Sequence, residues 1–195
     1  MNPVSIAMLT ICGLEDLQAH SCRGITHVLS ILDPGWPDPE AFLTYNPHRR
    51  AILHFHDAIE PAPNVRLPEI GHVEAILDFG RSLAEDAAER GDRHLLVRCH
   101  MGVSRSTAAM AILLAQARPE ENEDSVFGRL LEVRPQAWPN SRIIGFADGL
   151  LGRGGRLTSA LARLYGRQLF KSPQLVDVMH RIGRGREVDM ARGGS

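Results

Sequence analysis

The sequence predicts an α/β fold: a central, mainly parallel sheet of four to five strands flanked by helices, with a helical extension at the C-terminal end. Three observations carry that expectation. Short apolar runs rich in β-branched residues alternate with longer segments of helical period. Glycine or proline punctuates most junctions. Strands that alternate with helices pair in parallel, because each helix carries the chain back to the end of the sheet at which the previous strand began.

Residues 4–11 (VSIAMLTI) read as the first strand, ended by Gly13. Residues 14–22 can form one short helix before Gly24, and 25–32 (ITHVLSIL) supply a second strand. The stretch 33–39, with three prolines and a glycine, is a loop by composition. Residues 51–56 (AILHFH) form a third strand, followed by a loop holding Pro61 and Pro63. Across 68–90, Ile70, Val73, Ile76, Leu77 and Leu83 keep close to helical spacing. Pro68 suits a first helical turn and Gly91 a stop. HLLV at 94–97 is a short apolar strand, 105–117 (RSTAAMAILLAQA) a helix, and 123–133 another, broken by Pro135. Past Asn140 the pattern changes. Residues 153–192 hold nine Arg or Lys against three Asp or Glu, with helices expected near 157–169 and 173–182. The chain therefore divides into a main domain, 1–150, and an Arg-rich helical extension, 151–195, packed on it.

Composition narrows the function classes. At 195 residues, 44% hydrophobic and 23% charged, the chain can bury a sizeable core. A net charge of −1 supplies no global field, so no nucleic-acid partner is expected. The cysteines are Cys12, Cys22 and Cys99, an odd and sparse set that argues against a disulfide scaffold and for a reducing compartment. They lack zinc-ligand spacing, and neither a metal nor another cofactor is expected. No apolar run reaches membrane-spanning length, and Val4 to Leu14 has no basic residue ahead of it. The expected location is the cytoplasm. Of 22 basic residues only Lys171 is a lysine, which reads as the codon bias of a GC-rich, bacterial genome.

The chemistry is concentrated in 94–107, which reads strand, then CHMGVSR, then Ser-Thr and a helix. A cysteine at a strand end faces a loop closing into a helix N-terminus, where backbone N–H groups have no partner in the helix and form an anion site. Gly102 permits a backbone conformation that side chains forbid. Arg105 offers a planar fork matched to two phosphate oxygens. Ser106 can donate toward the sulfur. The nucleophile in such chemistry is the thiolate, and a free thiol is only about 3% thiolate at pH 7, so a positive surrounding is what the loop must supply. The bland reading of Cys99 is a buried structural cysteine at a strand end. The spacing of Cys99, Gly102, Arg105 and Ser106 disfavours it.

Cys99, Gly102, Val103, Ser104, Arg105 and Ser106 resemble the signature of the protein tyrosine phosphatase superfamily, in particular its compact dual-specificity-like members. Arg134-Pro135 and Pro139-Asn140 resemble a further segment of that family, whose Asn braces the phosphate loop. The resemblance covers residues 4–148 and implies a phosphatase domain with His100, Met101, Gly102, Val103, Ser104 and Arg105 cradling the phosphate. It implies Cys99 as nucleophile, with Ser106 and Asn140 in support. One departure stands out: Arg98 occupies the place of the family's histidine. The resemblance also implies an aspartate acid upstream. Asp57 is the best match, following strand 51–56 and lying 42 residues before Cys99. Glu60 and Asp33 are alternatives.

Other residues have bland and functional readings. His54, His56 and His72 have metal-ligand chemistry but no matching carboxylate or Cys set, which favours structural roles. Trp36 and Trp138 line a rim or simply pack. Cys12 and Cys22 are resolving thiols for an oxidised Cys99 or, the better reading, buried spectators. The Arg-rich tail reads as a solvated helix face before it reads as a contact for a phosphorylated partner. The leading expectation is a phosphatase acting on phosphotyrosine in proteins or on small aryl phosphates. Phosphoinositide or RNA 5′-triphosphate hydrolysis is disfavoured, because residues 100–104 contain no Lys or Arg. A catalytically weak phosphate-binding module is the third reading, with Arg98 its main support.

Overall fold

The computed structural model describes residues 8–90 and 93–193. Four strands form the sheet: β1 (Met8–Cys12), β2 (His27–Leu32), β3 (Arg49–His54) and β4 (His94–Arg98). Their order is β1-β4-β2-β3 and every pairing is parallel. Of the strand expected at 4–11, residues 4–7 lie outside the described residues, and β1 covers Met8–Cys12. Residues 14–22 hold only a four-residue 3-10 helix, Leu17–His20.

The central strands β2 and β4 are buried along their whole length, as a sheet covered on both faces requires. Side chains alternate between the two layers. Leu29, Ile31, Leu95 and Val97 enter a large apolar core, whereas Val28 and Leu96 enter a smaller one with Cys12, Leu17, Phe42 and Tyr45. The large core is supplied by seven helices. These are α1 (Ile70–Arg90), α2 (Arg105–Ala117), α3 (Glu123–Val133), α4 (Ser141–Leu150), α5 (Arg156–Lys171), α6 (Leu175–Arg181) and α7 (Gly185–Gly193). The small layer is closed by short turns, including a second 3-10 helix at Glu40–Thr44. No helix among the described residues is long and apolar enough to cross a membrane.

Helix α2 is buried from Arg105 through Ala115, which explains its run of Ala, Met, Ile and Leu without a polar face. Its far end is closed by the guanidinium of Arg153, which donates to the carbonyls of Ala115 and Arg118 at 2.8 and 3.3 Å. Helices α2 and α3 coincide with the segments 105–117 and 123–133 expected from periodicity.

Two helices carry no such signal. In α4, Gly145 and Gly149 dilute the helical propensity. It forms because Asn140 caps it, accepting from the N–H groups of Arg142 and Ile143, and because Ile143, Ile144 and Ala147 are buried. In α7 only Glu187, Val188 and Ala191 are buried, so packing rather than pattern holds it. Beyond residue 151 the chain lies on the same core: Leu157, Leu161, Leu164, Tyr165 and Val188 join the cluster built by α1, α2 and α4. Asp148 closes the start of α5 by accepting from Gly155 N–H at 2.6 Å and Thr158 N–H at 2.8 Å.

Parallel order places the carboxyl ends of all four strands along one edge, where α/β proteins form their sites. Gly13, Asp33, Phe55 to Asp57, and Cys99 follow those four ends.

Candidate active site

Cys99 is buried at the end of β4, and its Sγ lies 3.2 Å from Ser106 Oγ in the first turn of α2. The loop between them is held from outside through its carbonyls. His100 O accepts from Leu14 N–H at 2.9 Å. Met101 O and Gly102 O accept from the Arg134 guanidinium at 3.1 and 2.9 Å. Val103 O accepts from Trp138 N–H, and both it and Ser104 O accept from Thr107 Oγ1. In a trans peptide the next N–H points opposite to the carbonyl. With five consecutive carbonyls drawn outward, the N–H groups of Met101 through Arg105 turn toward the loop interior, beside the thiol. N–H groups gathered in this way at the amino end of a buried helix can cradle an anion.

Gly102 makes this path possible. Its φ is +68°, and a Cβ there would lie 2.6 Å from the backbone carbon of Cys12. Gly13 meets the loop from the other side, its absent Cβ 2.9 Å from His100 O. The first strand's end is thus a template against which the loop is pressed.

Arg105 is buried and donates from one terminal nitrogen to Asp33 at 2.5 Å and to the carbonyl of Phe55 at 2.6 Å. Asp33, an alternative acid on sequence grounds, is therefore the arginine's partner. Asp33 N–H also donates to His100 Nε2 at 3.3 Å. Burial holds His100 below the ordinary imidazole range, although nearby Asp33 pulls the other way. Trp36 stands edge-on to the His100 ring, 4.6 Å between centroids, and is half exposed at the rim beside exposed Met101.

Asp57 reaches the loop from the third strand's end. Its Oδ1 accepts from Ser104 Oγ at 2.7 Å and from Asn140 Nδ2 at 2.9 Å. Asn140 thus touches the Asp57 loop, and reaches the Cys99–Arg105 loop only through Asp57 and Ser104. The long interval between Asp57 and Cys99 is absorbed by a fold-back: His56 N–H donates to Arg66 O at 2.8 Å, and Arg66 N–H returns to His56 Nδ1 at 2.9 Å.

Sequence reasoning missed Arg184. It is buried, and one terminal nitrogen donates to Ser104 Oγ at 2.7 Å and to Asp57 Oδ2 at 3.3 Å. Its other nitrogens fork onto Glu187, both at 2.8 Å. Glu187 is wholly buried and also accepts from Trp138 Nε1, Ser141 N–H and Tyr165 OH. Burial works against the Arg184 charge, but Asp57 and Glu187 together raise its pKa above the ordinary guanidinium value. One faint signal existed in the chain: Arg184 and Glu187 stand three apart between glycines 183 and 185 and the chain end.

The remaining candidates take quieter places. Arg98 is fully buried and points into the small layer, donating to Ser30 Oγ at 3.1 Å with its guanidinium 5.8 Å over the Phe42 ring. Burial pushes it down to about 10. It lies on the sheet face opposite the large core that Cys99 joins. Cys12 is buried in that small layer and burial pushes its thiol up to about 12, whereas Cys22 is exposed. His72 Nδ1 accepts from Glu69 N–H at 3.0 Å, so both it and His56 spend a ring nitrogen on a backbone N–H. Trp138 packs, stacked on Tyr165 at 4.4 Å between centroids.

No protein-family model matches the chain, and no curated protein matches it. Solved structures do. Cydia pomonella PTP-2 phosphatase superposes with a TM-score of 0.55 at 14% identity, over 75% of this chain and 86% of that one. Human DUSP28 gives 0.54 at 16% identity over 77% and 97%. The human tyrosine phosphatase-like serine/threonine/tyrosine-interacting protein gives 0.54 at 18% identity over 75% and 92%. The chain has the fold of the protein tyrosine and dual-specificity phosphatases.

Proposed function

We propose that this protein is a phosphomonoester hydrolase acting on phosphotyrosine in proteins or on small aryl phosphates, through a cysteinyl-phosphate intermediate. The observation that carries the reading is the outward capture of five consecutive carbonyls around Cys99, which turns their partner N–H groups toward one point beside the thiol. The fold likeness supports it, as does the match of Cys99, Gly102 and Arg105 to the family signature.

In the first step Cys99 Sγ attacks phosphorus and the ester P–O bond breaks. The inward N–H groups and Arg105 stabilise the equatorial oxygens of the transition state. Asp33 holds the Arg105 guanidinium in the absence of substrate, and a phosphate dianion displaces it by offering two oxygens to the same fork. Asp57 gives its proton to the departing phenolic oxygen. In the second step the Asp57 carboxylate takes a proton from water, the hydroxide attacks phosphorus, and the S–P bond breaks. Ser106, at 3.2 Å, donates to the sulfur as it leaves. Exposed Trp36 and Met101 at the rim suit an aryl group, and residues 100–104 add no cation for polyphosphate substrates.

The test is p-nitrophenyl phosphate hydrolysis with Cys99→Ser as control. Turnover by the wild type, lost in Cys99→Ser, is expected. Phosphate binding without turnover by the wild type identifies a binding module instead and overturns the reading.

A further inference from the structure

We propose that Arg184, delivered from the link between α6 and α7, is a positioning residue for proton transfer by Asp57. The proposal rests on the reading of Asp57 as the acid, and extends the site into a segment that the family resemblance does not reach. Three features of the geometry carry it.

First, Arg184 is placed with little freedom. Gly183 turns the chain out of α6 at φ +75°, and the N–H groups of Gly183 and Arg184 donate back to the carbonyls of His180 and Met179 at 3.2 and 2.8 Å, which fixes the backbone at this point. The guanidinium is then locked by its two-pronged pair with Glu187, itself fixed by Trp138, Ser141 and Tyr165. A buried cation this well partnered has one remaining terminal nitrogen, and that nitrogen faces the acid and the phosphate loop.

Second, Ser104 Oγ is shared. It accepts from Arg184 and donates to Asp57 Oδ1, so its hydroxyl proton has one direction open to it. With Asn140 also donating to Oδ1, that oxygen is occupied by two hydrogen bonds. Oδ2 keeps a single long contact, to Arg184 at 3.3 Å, and the side chain is about one-third exposed. The arrangement selects Oδ2 to carry the proton toward the leaving oxygen. Third, proton transfer leaves a carboxylate on Asp57, and the fixed Arg184 charge stabilises that anion as it forms.

The experiment reads kcat/KM across a series of aryl phosphates of rising leaving-group basicity. Loss of a general acid weighs most on poor leaving groups, so it steepens this dependence. Arg184→Met is expected to steepen it, with a loss of about tenfold or more on phenyl phosphate and a smaller loss on p-nitrophenyl phosphate. Asp57→Asn steepens it further, and Arg184→Met adds little on that background, because both act on one proton transfer. Should Arg184→Met fold poorly, Arg184→Met with Glu187→Gln is read the same way: the Gln oxygen still accepts from Trp138 Nε1, and no unpaired charge is left. A uniform loss across the series, or none, with Asp57→Asn still steepening the slope, overturns the role of Arg184 alone. A slope that Asp57→Asn leaves unchanged overturns the reading of Asp57 itself, and this proposal with it.

Discussion

Gly102→Ala separates the two demands the loop makes on this position. One is conformational: an L-residue at φ +68° sits in the left-handed region, at a cost of about 1–2 kcal/mol. The other is contact. The added Cβ would stand 2.6 Å from Cys12 C, 2.8 Å from Cys12 O and 2.8 Å from Gly13 N. These are backbone atoms of a paired strand end, so no flexible side chain can yield, and overpacking of this kind adds about 1–3 kcal/mol. Gly24 provides the control, since its φ is +65° and nothing lies within 4 Å of its missing Cβ. Gly24→Ala should therefore show the first cost alone. At about 2–4 °C per kcal/mol for a chain of this size, Gly102→Ala should melt about 2–12 °C below Gly24→Ala. The same strain opens the anion cradle, so Gly102→Ala should also bind vanadate more weakly and lose kcat/KM on every aryl phosphate. Thermal melts of the two variants, with vanadate inhibition as the second reading, check this. Equal melting shifts, or vanadate affinity unchanged in Gly102→Ala, would refute the account of the loop as pressed against the end of β1.

Two further outcomes follow from groups away from the reacting atoms. In a Cys99→Ser background, an alkylating reagent near neutral pH should modify exposed Cys22 and leave buried Cys12, with its thiol pushed up to about 12, untouched until the protein is unfolded. Mass spectrometry of native and denatured samples reads this, and native labelling of Cys12 would contradict its inert placement. Glu123 pairs with Arg153 and Arg156 at 3.1 and 3.0 Å. Burial pushes its pKa up, but a backbone N–H and the two arginines outweigh it, so its carboxyl sits below the ordinary 4.5. A depressed carboxyl contributes stability that is present above the ordinary value and lost as pH falls through the folded one. Glu123→Gln should cost about 1.5–3 kcal/mol at neutral pH and flatten the fall in stability below about pH 4.5. Denaturant melts at neutral and acid pH measure both effects.

What the sequence revealed about the site, and what it concealed, follows from how each group is positioned. Cys99, Gly102, Arg105 and Ser106 are contiguous, and the anion cradle is a local consequence of a strand turning into a helix. Its chemistry is therefore written in spacing. Strands and helices with a clear period, such as α2 and α3, were legible for the same reason. Asp33 was legible only as a carboxylate ending a strand. Its pairing with Arg105 depends on β2 lying beside β4, and strand order is a global property. Helix α4 was obscured by its glycines, because its stability comes from a cap and from burial rather than from propensity.

Arg184 marks the limit. Among the nine basic residues of 153–192, nothing in composition distinguishes it from Arg181 or Arg186, and a solvated face was the reasonable expectation. Three-dimensional context separates them: Arg184 is 3% exposed, while its carboxylate partner Glu187 is closed in by Trp138, Ser141 and Tyr165. A buried pair of this kind costs desolvation on both partners, and apolar replacements often stabilise as well or better. Stability alone is thus a weak reason for such an arrangement here. The distribution of its hydrogen bonds supplies a stronger one. Glu187 ties α7 to the start of α4 beside the capping Asn140, and Arg184 carries that anchorage to Ser104 and Asp57. The polar network therefore spends its desolvation cost on holding one carboxylate and one hydroxyl in register at the mouth of the anion cradle.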